Sequence, residues 1–264
     1  MTLPTAGFPL AAAVSPRLQV VGSTGSTNAD LVRDAQRDPV GHPHLSVLLT
    51  DDQRAGRGRL DRHWTTPPGT ALAVSVLLRV PTLPAHARGW IPLLAGTAMT
   101  AAIADALRGR SHEVRMKWPN DVLLDGGKVC GILAEAVPGD AGAVVVGAGV
   151  NTTMTPADLP VPTATSFAAV GVTVDLDDLL ARYLREYDRL LGTLVAAGGD
   201  AAASGVRDEV SARCDTLGRD VSVAMPDGGV LVGRAVRLDA DGRLVVEVAG
   251  VETVVSAGDV VHVR

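Results

Sequence analysis

Cysteine is scarce in this sequence: Cys130 and Cys214 stand far apart and in no paired motif. That excludes a disulfide framework and a thiolate zinc site, and it points to a reducing, cytoplasmic compartment. No apolar run reaches the ~20 residues that a membrane helix needs. The first residues, Met1 to Phe8, lack the basic stretch of a signal peptide. Aromatic residues make up only 3%, so each of the three tryptophans marks a place worth finding. The formal charge is −5, whereas a protein that coats nucleic acid is normally basic. Familiar nucleotide and hydrolase motifs are missing too. Gly126-Gly127-Lys128 lacks the upstream spacing and the following Ser or Thr of a phosphate loop. Asp61 stands where the third glycine of a GxGxxG beginning at Gly56 would fall, and there is no GxSxG or HExxH.

What is present reads as an α+β chain, a mixed sheet with flanking helices followed by a small all-β barrel. Residues 1–16 hold three prolines and little pattern and are expected to form a loose arm. Arg17–Gly22 reads as a first strand, and Ser26-Thr27-Asn28 leads into a helix over about 29–37. These residues are preferred helix caps, because their oxygens accept the free amide hydrogens of the first turn. Ser46–Thr50 and Thr70–Val80 are apolar strands. Trp90–Leu107 is a helix with Leu94, Ala98, Ala102, Ile103, Ala106 and Leu107 near one face. Pro119 cannot join a ladder, so Val114–Leu124 divides into two short strands whose kink presents Lys117, Asn120 and Asp121. Asp125-Gly126-Gly127 is a hairpin turn. Gly131, inside the return strand Lys128–Glu135, implies a close approach of something to the backbone. A further buried strand runs from Ala143 to Val150. The spacing of Leu179, Leu180, Tyr183, Leu184, Tyr187, Leu190, Leu191 and Leu194 predicts an amphipathic helix. A shorter helix follows over about 201–213. From Gly218 onward the period changes to two, with turns at Pro226–Gly229 and Asp239–Gly242, which predicts four or five short strands. The expected division is an arm at 1–16, a catalytic domain at 17–213 and a barrel at 214–264.

The stretch Gln53–Trp64 carries Arg54, Arg57, Arg59 and Arg62 around Gly56 and Gly58. Guanidinium forks match carboxylate and phosphate oxygens, and glycines let a ligand approach the backbone. Alone, such a stretch reads as a solvated basic loop. Its company is the Ser-Thr-Asn turn, Lys117-Trp118-Pro119-Asn120-Asp121 and Lys128, each expected near a strand end. The group is rich in cations and amides and has no nucleophile paired with histidine. It suits catalysis by positioning and charge stabilisation. His42 and His44 could ligate a metal, but no third ligand accompanies them.

In order along the chain, Gly56-Arg57-Gly58-Arg59, Lys117–Asp121, and Lys128-Val129-Cys130-Gly131-Ile132-Leu133-Ala134-Glu135 strongly resemble biotin protein ligase. The Ser-Thr-Asn turn precedes them and Val146–Asn151 follows, so the resemblance covers about residues 17–264. It implies a class II synthetase-like catalytic domain and an SH3-like barrel. It implies that biotin is joined to AMP from MgATP and then passed to a lysine of the biotin carboxyl carrier protein or domain of an acyl-CoA carboxylase.

By the same resemblance Ser26, Thr27, Asn28 and Gln53 match positions that contact biotin. Arg57, Gly58 and Arg59 match the loop that closes over the ligand, with Gly131 also on the biotin side. Lys128 matches the lysine near the biotin carboxylate and the acyl phosphate. Lys117, Asn120, Asp121 and Asn151, with Arg59, match the nucleotide side. Trp64 matches a tryptophan beside the adenine. Lys128, Arg57 and Asp121 are the implied catalytic residues, Asp121 to orient the acceptor amine or take its proton. The ligands of Mg²⁺ are left open. The family usually has glycine where this chain has Asp61, which could alter how the loop closes. Residues 1–16 alone precede the first strand, too few for a winged-helix head, so the single-function form with neither DNA nor membrane as partner is expected. The nearest rival reading is a lipoate or octanoate ligase. A non-catalytic adaptor built on the barrel would leave the cation cluster unexplained.

Overall fold

The computed structural model describes residues 3–263 apart from Asp61, Pro226, Asp227 and Ala257, with the backbone alone of Asp259. The expectations attached to Asp61 and to the Pro226-Asp227 turn lie outside the described residues.

The N-terminal stretch is not a loose arm. Pro9–Ala12 forms a short helix (α1) with Phe8 and Ala11 buried. Its Leu10 and Ala11 amides donate to the Asp177 carboxylate at 2.9 and 2.8 Å. The prolines that removed any periodicity start a helix here, and proline fits a first turn because the amide it lacks would be unpaired anyway.

The main sheet is built from β1 (Leu18–Val20), β2 (Ser46–Thr50), β5 (Ala71–Arg79), β6 (Val114–Lys117), β7 (Asp121–Leu124), β8 (Gly127–Val137) and β9 (Asp140–Asn151). They lie in the order β1-β2-β5-β9-β8-β7-β6. Only β1 and β2 run parallel; the other pairs are antiparallel. Asp125 and Gly126, at φ 51° and 81°, make the tight turn between β7 and β8 that the sequence predicts. Lys117 and Asp121 close the β6–β7 hairpin around Trp118-Pro119-Asn120, where the Trp118–Pro119 bond is cis. Between β2 and β5 the arginine stretch folds as a two-stranded ribbon of β3 (Gly56–Arg57) and β4 (His63–Trp64).

The two faces of the sheet are covered differently. One carries α3 (Trp90–Ala106) and α4 (Leu176–Ala196), packed on Val74, Val76, Val146, Ala148 and their neighbours. Here α3 departs from the expected one-sided helix. Leu93, Ala95, Thr97 and Met99 are buried as well as Leu94 and Ala98, because β6–β8, α4 and α5 (Val206–Arg213) all pack against this helix. The other face carries one helix among the described residues, α2 (Thr27–Arg37), with Leu31 and Ala35 on Leu48, Leu77 and Val145. One short helix cannot cover a seven-stranded sheet, so part of this face stays open.

After α5 (Val206–Arg213) come β10 (Asp220–Ala224), β11 (Val230–Leu238), β12 (Leu244–Val248), β13 (Val251–Val255) and β14 (Asp259–His262). They pair antiparallel in the order β13-β12-β11-β10-β14. The apolar core is continuous from α3 into Val221, Val223, Ala235 and Leu244 of this second sheet. Trp90 and Trp118 donate their indole N–H groups to Ala240 O (2.8 Å) and Gly242 O (3.1 Å), so one turn of the second sheet is pinned against the first. No helix is long and apolar enough to cross a membrane among the described residues.

Candidate active site

Strand periodicity builds the floor of the open face. Residues two apart point to the same side of a sheet, and the register aligns three rows across β5, β9 and β8: Ala73, Gly149 and Gly131; Ser75, Gly147 and Leu133; Leu77, Val145 and Glu135. The third row is large and packs under α2. The first two are made of small residues except Leu133, and a cavity of about 150 Å³ opens above them. Two side chains lie directly on the glycines. A Cβ on Gly149 would stand 2.5 Å from the Trp64 ring, and one on Gly131 would stand 3.1 Å from it and 3.2 Å from Lys128 Cε. A Cβ on Gly147 would collide with the Asn28 carboxamide.

Polar groups gather at the start of α2. Ser26 is its N-cap, accepting from the Ala29 amide at 3.4 Å. Gln53 Oε1 accepts from both the amide and the hydroxyl of Thr27, at 2.9 and 3.0 Å. Asn28 is 4% exposed and makes three bonds, of which the two from Nδ2 fix its sense. Nδ2 donates to Glu135 Oε2 (2.8 Å) and to Leu133 O (3.2 Å), and Oδ1 accepts from the Ser75 hydroxyl (2.6 Å). Both amide hydrogens are thereby used. One lone pair of Oδ1 is left without a protein donor among the described residues.

Cations gather around the same cavity. Lys128 Nζ lies 2.6 Å from Asp121 Oδ1 and 5.7 Å from the centroid of a Trp64 ring. Arg57 pairs with Glu135 Oε1 at 3.0 Å. Arg59 donates to Asn120 Oδ1 at 3.3 Å, while Asn120 Nδ2 donates to Ile132 O at 2.6 Å. Cys130 adjoins this cluster, but burial pushes its thiol far above the ordinary value and Lys128 only partly offsets that. It is a neutral packing group and no nucleophile.

Ser26, Thr27, Asn28, Gln53, Arg57, Gly58, Arg59, Trp64, Asn120, Asp121, Lys128 and Gly131 all line this one cavity. Two of the residues read as nucleotide contacts stand outside its lining. Lys117 lies on β6, and Asn151 is buried beneath the end of β9, donating to Thr165 O at 2.8 Å. Arg54 turns outward to Asp52. His42 and His44 are structural: His42 bonds Asp38 O, and His44 joins Asp188 to the Arg79 amide. Ser75, Gly147, Gly149 and Glu135 carry the site and escaped the sequence reading as site residues. The glycine pair in Gly147-Ala148-Gly149 was the available signal. Ser75 had none, being one hydroxyl in an apolar strand. No group of three His, Cys, Asp or Glu side chains able to hold a metal occurs among the described residues.

The arginine ribbon, the polar start of α2 and the amide-rich β6–β7 hairpin thus converge on one cavity over the open face of the sheet. Residues 26–151 match the biotin/lipoate A/B protein ligase family, and residues 216–263 match the biotin protein ligase C-terminal domain. The biotin–[acetyl-CoA-carboxylase] ligase of Mycobacterium tuberculosis is 40% identical over 94% of this chain and 90% of its own length. The bifunctional ligase/repressor BirA of Bacillus subtilis is 28% identical, over 90% of this chain and 71% of its own. The structure of biotin protein ligase from Aquifex aeolicus in complex with biotin and ATP superposes with a TM-score of 0.74 at 22% identity, covering 94% of this chain and 99% of that one. The chain belongs to the biotin protein ligase family.

Proposed function

We propose that the protein activates biotin with ATP as biotinyl-5′-AMP and transfers the biotinyl group to a lysine of a carboxylase's biotin carrier protein or domain. The observation that carries this reading is the division of the cavity. Asn28 offers an acceptor lone pair over the second row, Lys128 stands over the first, and Arg57 and Arg59 border the same cavity. A cyclic urea supplies the N–H that Asn28 can accept, and an acyl tail running on past Asn28 and Trp64 would bring its carboxylate toward Lys128. The dithiolane ring of lipoate has no N–H to offer.

In the first step a biotin carboxylate oxygen attacks the α-phosphorus, a new P–O bond forms, and the bond to the β-phosphate oxygen breaks to release pyrophosphate. Two anions meet in that step, so the ammonium of Lys128 and the guanidinium groups of Arg57 and Arg59 act by offsetting their repulsion. Lys128 exchanges Asp121 for substrate oxygens. Asp121 is then available to orient the carrier lysine or take its proton, as that amine attacks the acyl carbon and AMP leaves. The carboxylates nearest the cavity, Asp121 and Glu135, are already paired with Lys128 and Arg57. Mg²⁺ is accordingly read as part of the MgATP substrate, held mainly by its phosphates. The nucleotide-side roles read for Lys117 and Asn151 then act from outside the cavity lining.

The test is biotin-dependent pyrophosphate release from ATP, repeated with lipoate. Release with biotin alone is expected. Release with lipoate alone would move the protein to the sister activity and overturn the role given to Asn28.

A further inference from the structure

We propose that Glu135 is a positioning residue that sets Asn28 as a hydrogen-bond acceptor and ties the head pocket to the arginine lid. The inference rests on the biotin reading and adds to it a residue and a coupling.

An asparagine carboxamide can turn end for end, exchanging its donor for its acceptor at little cost in shape. Here it cannot. Turned over, Oδ1 would face the Glu135 carboxylate and the Leu133 carbonyl, an acceptor against two acceptors. The Ser75 hydroxyl sets no sense of its own, since it could accept from Nδ2 and give its proton to Thr27 Oγ1 at 2.8 Å. Hydrogen bonds to a charged partner are the stronger kind, so Glu135 dominates that choice and the Leu133 carbonyl seconds it. Gly147 lets the carboxamide lie on the floor, in the plane where both partners reach it. The consequence is that Asn28 can only accept from a ligand.

The same carboxylate holds the lid. Arg57 on β3 lies 3.0 Å from Glu135 Oε1, and its other contact is 3.2 Å from the Oε2 that binds Asn28. One carboxyl group thus joins a head-pocket residue to the ribbon above it. A ligand that draws on Asn28 and a lid that settles over the cavity act on one shared group.

The experiment measures initial pyrophosphate release against biotin concentration for the whole protein and for Glu135→Ala, Glu135→Gln and Ser75→Ala. Probes are biotin and its two ureido N-methyl derivatives. Glu135→Ala is expected to raise KM for biotin by about tenfold or more while kcat changes far less. Wild type should reject one N-methyl isomer, and the discrimination should shrink in Glu135→Ala, because a carboxamide no longer held as an acceptor gains less from the unmethylated N–H. Glu135→Gln keeps an oxygen for Asn28 but loses the charge. Its KM should rise less than in Glu135→Ala, and its Arg57 and Gly58 amides should exchange faster without ligand. Ser75→Ala leaves Glu135 and Leu133 to hold the carboxamide and should keep the N-methyl discrimination of wild type. Glu135 variants with wild-type KM and undiminished N-methyl discrimination would overturn the inference while leaving the biotin reading intact. Absence of biotin-dependent release from wild type would overturn both.

Discussion

Lys128 has an acid, an aromatic face and a glycine within reach of one side chain: Asp121, Trp64 and Gly131. Each contact restrains the ammonium without burying it, so it stays available to a substrate oxygen. Lys128→Ala should slow adenylate formation by about a hundredfold or more, the order seen when a pre-placed charge stabiliser is removed; single-turnover pyrophosphate release measures it. How much of this was legible varied by residue. Gly131 was read as a close approach because a glycine inside a strand has no packing reason to be there, and the approaching groups proved to be Lys128 and Trp64. The Ser26–Asn28 turn reads from sequence either as a helix cap or as a ligand-binding turn; Ser26 does cap α2, and all three side chains line the cavity. Glu135 lay in plain view within a quoted motif, yet no spacing rule connects it to Asn28 and Arg57. Only the register of β8 against β9 does so.

Among the elements, the ribbon formed by β3 and β4 is the least supported. It is joined by two residue pairs, Gly56 with Trp64 and Arg57 with His63, and has no third strand. An isolated two-stranded ribbon is marginal in water, and this one carries like charges. Backbone amides of 56–58 and 62–64 should therefore exchange readily without ligand and become protected with biotin and ATP present. Equal protection in both states would show that the ribbon needs no anion to order it. Helix α4 illustrates what sequence reads well, since its apolar stripe reappears as its buried face. Helix α3 and the Pro9–Ala12 helix illustrate what it reads poorly. Burial on several sides erases the period, and four residues are too few to show one.

At the scale of the molecule, the two sheets share a core and a polar seam. His262 of β14 lies 3.6 Å from Asp215 and 3.3 Å from Thr216 Oγ1, which also accepts from the Trp118 amide. Burial holds His262 below its ordinary value; Lys117 and Arg219 push the same way and Asp215 opposes them. A histidine depressed in the folded state binds fewer protons there than when unfolded. Its contribution is fully present above the ordinary value near pH ~6.5 and is lost as pH falls through the lowered one. Thermal melts should show stability declining as the medium is acidified below that value, and His262→Gln should flatten the decline. The same seam has an optical consequence. Trp90 and Trp118 are buried with their indole N–H groups bound to backbone carbonyls of the turn that pins the sheets. Their emission should stay constant through turnover. Trp64 alone of the three lies in the cavity, flat on Gly149 and beside a movable ammonium. The chain thus carries one reporter fluorophore against two silent references, and a Trp64→Phe variant should abolish any ligand-dependent change in emission.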